Sequence, residues 1–197
     1  MPSKTSDMLA VSRTAGRLAL GYYAFLVAQY VAANPQSINS LPPAEEFGRD
    51  PVGEIKRKDG TFHTLNLRFY LDLFREDHGM QSEILRSWAM GALLTLGDEL
   101  SAHKYFDRAP ILELVYHLRN GVAHGNRFNI TRNGQHRLVQ YPAHNRDAIA
   151  NSPAGVTYEI TPGISGAVLF DFMGPADVID LLQSVELYLS KAAGARP

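Results

Sequence analysis

Between Ser82 and His103 the apolar residues Ile84, Trp88, Ala92, Leu96 and Leu100 recur every four positions. That period is close to the turn of an α-helix and unlike the two-residue alternation of a half-buried strand. It predicts a long central helix with one buried face, so the fold must supply other helices to cover it. Ser12 to Ala33 offers one, with Leu18, Tyr22, Phe25, Leu26 and Gln29 three or four apart and Asn34-Pro35 to stop it. The next thirty residues carry Pro42-Pro43, Gly48, Asp50-Pro51, Gly53 and Asp59-Gly60, which predicts a long loop over 34–63 with room for one small hairpin. From Leu65 to Phe74, Leu67, Tyr70, Leu71 and Phe74 form a helical stripe, with Gly79 placed to end it. Leu65, Leu67, Phe69, Leu71 and Leu73 also alternate, and a strand is the alternative. Asp107 is the expected N-cap of a further helix with Pro110 in its first turn and Leu112, Val115 and Leu118 as packing residues, ending near His124-Gly125.

Beyond that helix the pattern changes. Asn133-Gly134 is a type I′ hairpin signal between Phe128–Thr131 and Arg137–Tyr141. Thr161-Pro-Gly-Ile-Ser-Gly166 separates Val156–Ile160 from Ala167–Phe172. These runs predict a four-stranded β insertion over 127–172. Gly174-Pro175 then opens a closing helix over 175–193, with Val178, Ile179, Leu182, Val185 and Leu189 on one face. The expected fold is α+β and mainly α: one domain over 1–197, an antiparallel helical bundle with a small antiparallel sheet inserted before the last helix.

A length of 197 residues with 45% hydrophobic content suffices for one core. Cysteine is absent, which removes disulfides, zinc-thiolate sites and thiol nucleophiles. The apolar run Leu18–Ala33 is short for a bilayer and diluted by Tyr22, Tyr23, Gln29 and Tyr30, so it reads as a core helix with no membrane partner and a cytoplasmic protein. A signal peptide is the alternative, given Lys4, Arg13, Arg17 and Val31-Ala32-Ala33, and Asp7 opposes it. The net charge of −1 excludes a globally basic nucleic-acid coat. Yet from His117 to Arg146 there are five arginines, four histidines and no acid, a window suited to a polyanionic partner. The bland account places these arginines on the outer face of a sheet.

Arginine followed by histidine with four to six residues between occurs three times: Arg57 with His63, Arg119 with His124, and Arg137 with His144. Only Arg119 and His124 fall at the end of an expected helix. On an ideal helix His124 lies about 40° from Asn120 but about 140° from Arg119, so one chain pairs arginine and histidine awkwardly. A two-fold dimer would remove the difficulty by facing two such helix ends. Gly121 would then admit a partner helix or a phosphate. Alternatively, Gly121 and Gly125 only loosen the helix end and His124 meets its carbonyls. Asp98 and Glu99 could pair with Arg119, although acids near a helix end are usually solvated. Arg127 is the candidate contact to an RNA backbone. Trp88 reads as core and Ser165 as a turn residue. His117 and His124 lack a nearby carboxylate, so no metal site is expected.

Arg119-Asn120-Gly121-Val122-Ala123-His124 at a helix end resembles the Arg-Asn-x-x-x-His signature of the HEPN (higher eukaryotes and prokaryotes nucleotide-binding) superfamily. Leu114–Leu118 before it, strands after it, and Val168–Asp177 are similar to a plasmid-borne branch of that family. The resemblance implies a HEPN-like helical bundle, homodimerisation and a metal-independent endoribonuclease without cofactor. Arg119 and His124 would be its catalytic residues, and Asn120 would orient His124 or a phosphate oxygen. It also implies a toxin or defence effector with an antitoxin or inhibitor protein as partner. Histidine can move the protons of ribose 2′-hydroxyl attack and arginine can hold the charge that develops on phosphorus, leaving 2′,3′-cyclic phosphate ends. Where many such proteins carry a tyrosine two residues after the histidine, this chain has Asn126. A catalytically silent nucleotide- or RNA-binding module is the rival reading, and an interaction domain using the small sheet is a third.

Overall fold

The computed structural model describes residues 3–41, 50–148 and 156–194. It is mainly helical, with one two-stranded antiparallel sheet. The elements are α1 (Lys4–Ala33), β1 (Val52–Lys56), β2 (Phe62–Asn66), α2 (Leu67–Glu76), α3 (His78–Ala102), α4 (Pro110–Ala123), α5 (Arg132–Gln140) and α6 (Pro175–Ala192), with short 3-10 or helical turns at Pro35–Ser40, Pro162–Ile164 and Leu169–Phe172. The chain divides into two compact units, 1–22 with 85–197, and 23–84.

The first unit holds the core. Along α1, Met8, Val11, Ser12, Ala15, Ala19 and Tyr22 are buried at helical spacing. Ser12 Oγ donates to the Glu186 carbonyl of α6 at 2.8 Å, tying those two helices together. In α3 the buried stripe is Ala89, Ala92, Leu93, Leu96, Gly97 and Leu100, so the four-residue period marks the inner face from Ala92 onward, while Ile84 and Trp88 are half-buried. Trp88 packs on buried Tyr22 with ring centroids 4.6 Å apart but is itself half-buried, at the border of the core. Eight of the fourteen residues of α4 are buried, including the expected Leu112, Val115 and Leu118. At about 25 cal/mol per Å² of apolar surface removed from water, such a shared core is the main force holding these helices together.

The connection from α3 to α4 is an unusual left-handed turn. Lys104, Tyr105, Phe106 and Arg108 all have positive φ, between 50° and 58°. Each such residue costs about 1–2 kcal/mol relative to ordinary backbone. Buried Tyr105 offsets part of this by donating its hydroxyl to the Gly97 carbonyl. The N-cap of α4 is Ala109, two residues after the expected Asp107, whose Oδ1 instead accepts from the Ala109 N–H.

The expected β insertion over 127–172 does not form. Arg132–Gln140 is helix α5, because Thr131 caps it by accepting from Gly134 N–H at 3.3 Å. Asn133 and Gly134 thus sit in a first helical turn, and the cap outcompetes the type I′ hairpin. Of the second pair, only isolated bridges Arg127↔Val168 and His144↔Glu159 remain. Ala167–Phe172 instead closes into a short helical turn from Leu169. The sheet lies in the other unit, and its position before the last helix is therefore corrected.

In unit 23–84, β1 and β2 pair antiparallel from Val52↔Asn66 to Lys56↔Phe62, the hairpin allowed within the 34–63 loop. Both readings of the 65–74 segment hold in part, since Leu65 lies in β2, which ends at Asn66, and Leu67 begins α2. Asn66 makes the switch by capping α2, its Oδ1 accepting from Phe69 N–H. Gly79 does not end that helix; α2 stops at Glu76 and Gly79 lies in α3. Among the described residues of this unit only Pro51 is buried, while Tyr30, Ile55, Phe62, Phe69 and Tyr70 are exposed.

Candidate functional site

Helix α4 ends at His124, whose N–H returns to the Asn120 carbonyl at 3.1 Å. The chain then reverses through two left-handed residues, Gly125 with φ 83° and Asn126 with φ 58°. Asparagine adopts that conformation readily, whereas a tyrosine at 126 would cost about 1–2 kcal/mol there. Just beyond it Phe128 packs over Gly121: a Cβ there would lie 3.2 Å from the ring. The close approach predicted at Gly121 is thus made by this chain's own Phe128.

The reversal leaves His124 exposed at the edge of a cleft of about 510 Å³ between α4 and the segment 128–141. Asn120 and His124 line it; Arg119 and Arg127 are not among the lining residues. Glu113, His117, Asn120 and His124 follow one another at steps of four, three and four, a single stripe of α4. His117 is buried, 5% exposed, and its Nε2 has no hydrogen-bond partner. Burial, and secondarily the Arg137 charge, push its pKa down to about 4. At the inner end Glu113, fully buried, accepts from Arg137 Nε at 2.7 Å and Nη2 at 2.8 Å, and Arg108 Nη1 lies 3.9 Å away. Arg137 also sits 3.7 Å over the Tyr116 ring.

Arg119 points elsewhere. Its Nε and Nη2 donate to Asp98 Oδ1 at 2.9 and 2.7 Å, and its Nη1 donates to Asn120 Oδ1 at 3.3 Å. Its stem occupies the space above Gly97, where a Cβ would overlap Arg119 Cβ and Cγ. A glycine inside a helix costs about 1 kcal/mol relative to alanine, and the arginine stem is what requires it here. Within one chain, therefore, Arg119 faces α3 while His124 faces the cleft, and Asn120 touches both sides. Arg127 is tethered through Nη1 to the Gly166 carbonyl at 3.0 Å.

The acid-free window is less cationic in space than in sequence. Arg119 pairs with Asp98, Arg137 with Glu113 and Arg146 with Glu159, all acids from outside the window. Of its five arginines, Arg127 and Arg132 alone lack a carboxylate partner among the described residues.

Glu113, His117, Arg137 and Gly97 were not picked out from the sequence as parts of a site. Two signals were available: a lone acid within the apolar run Ile111–Val115, and a glycine inside a strongly periodic helix. Among the described residues no group of three histidine or acidic side chains could hold a metal ion, and no helix is long and apolar enough to cross a membrane. Comparison of the chain with protein-family models, curated proteins and solved structures gives no match.

Proposed function

We propose that this chain is a HEPN-type helical-bundle endoribonuclease that cleaves RNA without a metal ion, using Arg119 and His124 brought together by a homodimer. The observation that carries the reading is the placement of His124, exposed at the edge of a polar cleft beside Asn120 and without a carboxylate partner among the described residues. Imidazole is the side chain suited to move a proton from a ribose 2′-hydroxyl near neutral pH. Arg119 uses three of its five N–H donors on Asp98 and Asn120, so two remain for the oxygens of a phosphorane-like transition state. Its orientation away from the cleft of its own chain is what calls for a second copy, and the apolar side chains exposed over 23–84 leave surface for association. In this reading it acts in the cytoplasm as a toxin or defence effector, on single-stranded or loop RNA, whose riboses are accessible, with an inhibitor protein to restrain it.

The test is incubation of the purified protein with mixed RNA in EDTA. Native protein should yield 2′,3′-cyclic phosphate ends, and Arg119→Ala and His124→Ala should each lose at least a hundredfold in rate. Unchanged cleavage in either variant removes the assignment. The Asp98 carboxylate on Arg119 favours one rival, a silent RNA- or nucleotide-binding module, because it offsets the cation that catalysis needs. RNA binding without cleavage by the native protein would establish that rival.

A further inference from the structure

His117 is the buried group that the proposed chemistry leaves unused. It lines the same cleft as His124, is nearly inaccessible, and carries a nitrogen without a partner. A buried polar atom left unsatisfied costs about 1–3 kcal/mol, so its retention asks for a ligand or a role. Seven residues separate it from His124 along α4, about 10.5 Å of rise and about 20° short of two full turns. Both side chains therefore leave the helix on one line, separated by about the reach of one nucleotide from its phosphate to the far edge of its base.

The inner end of the cleft is poorly suited to a phosphate. Arg137 gives both its Nε and Nη2 to Glu113, and Arg108 leans on the same carboxylate, so the cations there already face a buried anion. What is on offer is a set of flat groups, aromatic rings already stacked with guanidinium planes. Tyr116 and Tyr141 line the cleft, each beneath a guanidinium. His117, held uncharged by burial, has one ring nitrogen without a partner, Nε2, which donates to or accepts from a base edge according to its tautomer. The volume, about 510 Å³, lies within the range of about 300–1,000 Å³ typical of small-molecule sites.

We propose that the inner end of this cleft is a subsite for a single unstacked nucleobase, seated against Tyr116 and Tyr141 and hydrogen-bonded by His117, which fixes where along an RNA the backbone meets His124. The inference rests on the proposed ribonuclease reading for the orientation of the nucleotide. Recognition of a splayed base on its edge, with aromatic contact to its face, is how proteins read single-stranded RNA. His117 then acts as a specificity residue, and Asn120, between the two histidines on the same stripe, spans the ribose.

The experiment titrates native protein, ¹⁵N-labelled at histidine, with each of the four nucleoside 3′-monophosphates and with ribose 5-phosphate as a base-free control. At least one nucleotide should move the His117 ring resonances and bind at least tenfold more tightly than the control. His117→Leu should lose that tenfold preference, and His117→Gln, which keeps a donor and an acceptor, should retain part of it. Four nucleotides that leave the native His117 resonances unmoved would overturn the subsite, whatever the variants do. So would equal binding by native protein and His117→Leu. Base binding at His117 in a protein that leaves RNA intact would keep the subsite and remove the nuclease. RNA cleavage with His117 unmoved by all four nucleotides would remove the subsite and keep the nuclease.

Discussion

Replacing His117 by leucine should change how the protein's stability depends on acid. The imidazole titrates near 6.5 in an unfolded chain and at about 4 in the folded one, first because burial strips its water and second because Arg137 lies nearby. The folded pKa is the lower of the two. Between them the unfolded chain takes up a proton that the folded chain refuses, so the contribution is complete above pH 6.5 and lost as pH falls towards 4. At about 1.4 kcal/mol for each pH unit, the loss between pH 7.5 and pH 4.5 comes to about 2.5 kcal/mol. Leucine has no proton to take up and fills a similar volume, so it should lack this component. Urea unfolding at both pH values, followed by circular dichroism, gives the stability change for each protein. Other titrating groups contribute alike to both and cancel in the difference. The native protein should lose about 2.5 kcal/mol more than His117→Leu over that interval. Equal losses would refute the argument that the histidine is buried and uncharged.

Other consequences follow from the paired charges and the helix end. Arg137→Met should destabilise by about 3–5 kcal/mol in chemical denaturation, because Glu113 would keep its charge in the core with only Arg108, 3.9 Å away, to face it, whereas the Glu113→Met/Arg137→Met double variant should recover most of that loss. Gly97→Ala would displace the Arg119 stem and Asp98→Asn would weaken the two hydrogen bonds that orient its fork; each should lower the rate of RNA cleavage by about tenfold, with little change in KM. Asn126→Tyr should lower stability by about 1 kcal/mol, since residue 126 holds a left-handed conformation, while Asn126→Gly should stay within about 0.5 kcal/mol of native in the same assay.

The helices were legible wherever burial imposes a period. Ala92, Leu96 and Leu100 lie at the positions their four-residue spacing assigns, and α6 spans nearly the stretch expected from Val178 to Leu189. The region after His124 was misread because Asn133-Gly134 carries two signals at once. Its φ-permissive residues suit a hairpin, but Thr131 supplies a helix cap, and the buried Glu113 waiting across space for Arg137 favours the helix. That carboxylate is nineteen positions before the first residue of α5, so no local pattern could connect them. The acid-free window misled for the same reason: charge composition along a chain takes no account of partners contributed from elsewhere. The divergence of Arg119 from His124, in contrast, follows from helical geometry alone, and its angle was readable before any coordinates.

Because Arg119 and His124 diverge on one chain, cleavage needs an arginine and a histidine from two copies, which complementation can detect. Arg119→Ala and His124→Ala chains, co-expressed with different tags and purified as the mixed dimer, combine one intact arginine with one intact histidine on opposite copies. Each variant alone should be inactive on RNA in EDTA, and the mixed dimer should regain cleavage with 2′,3′-cyclic phosphate ends. A mixed dimer as inactive as its parents, or a native protein that cleaves RNA while sedimenting as a monomer, would contradict it.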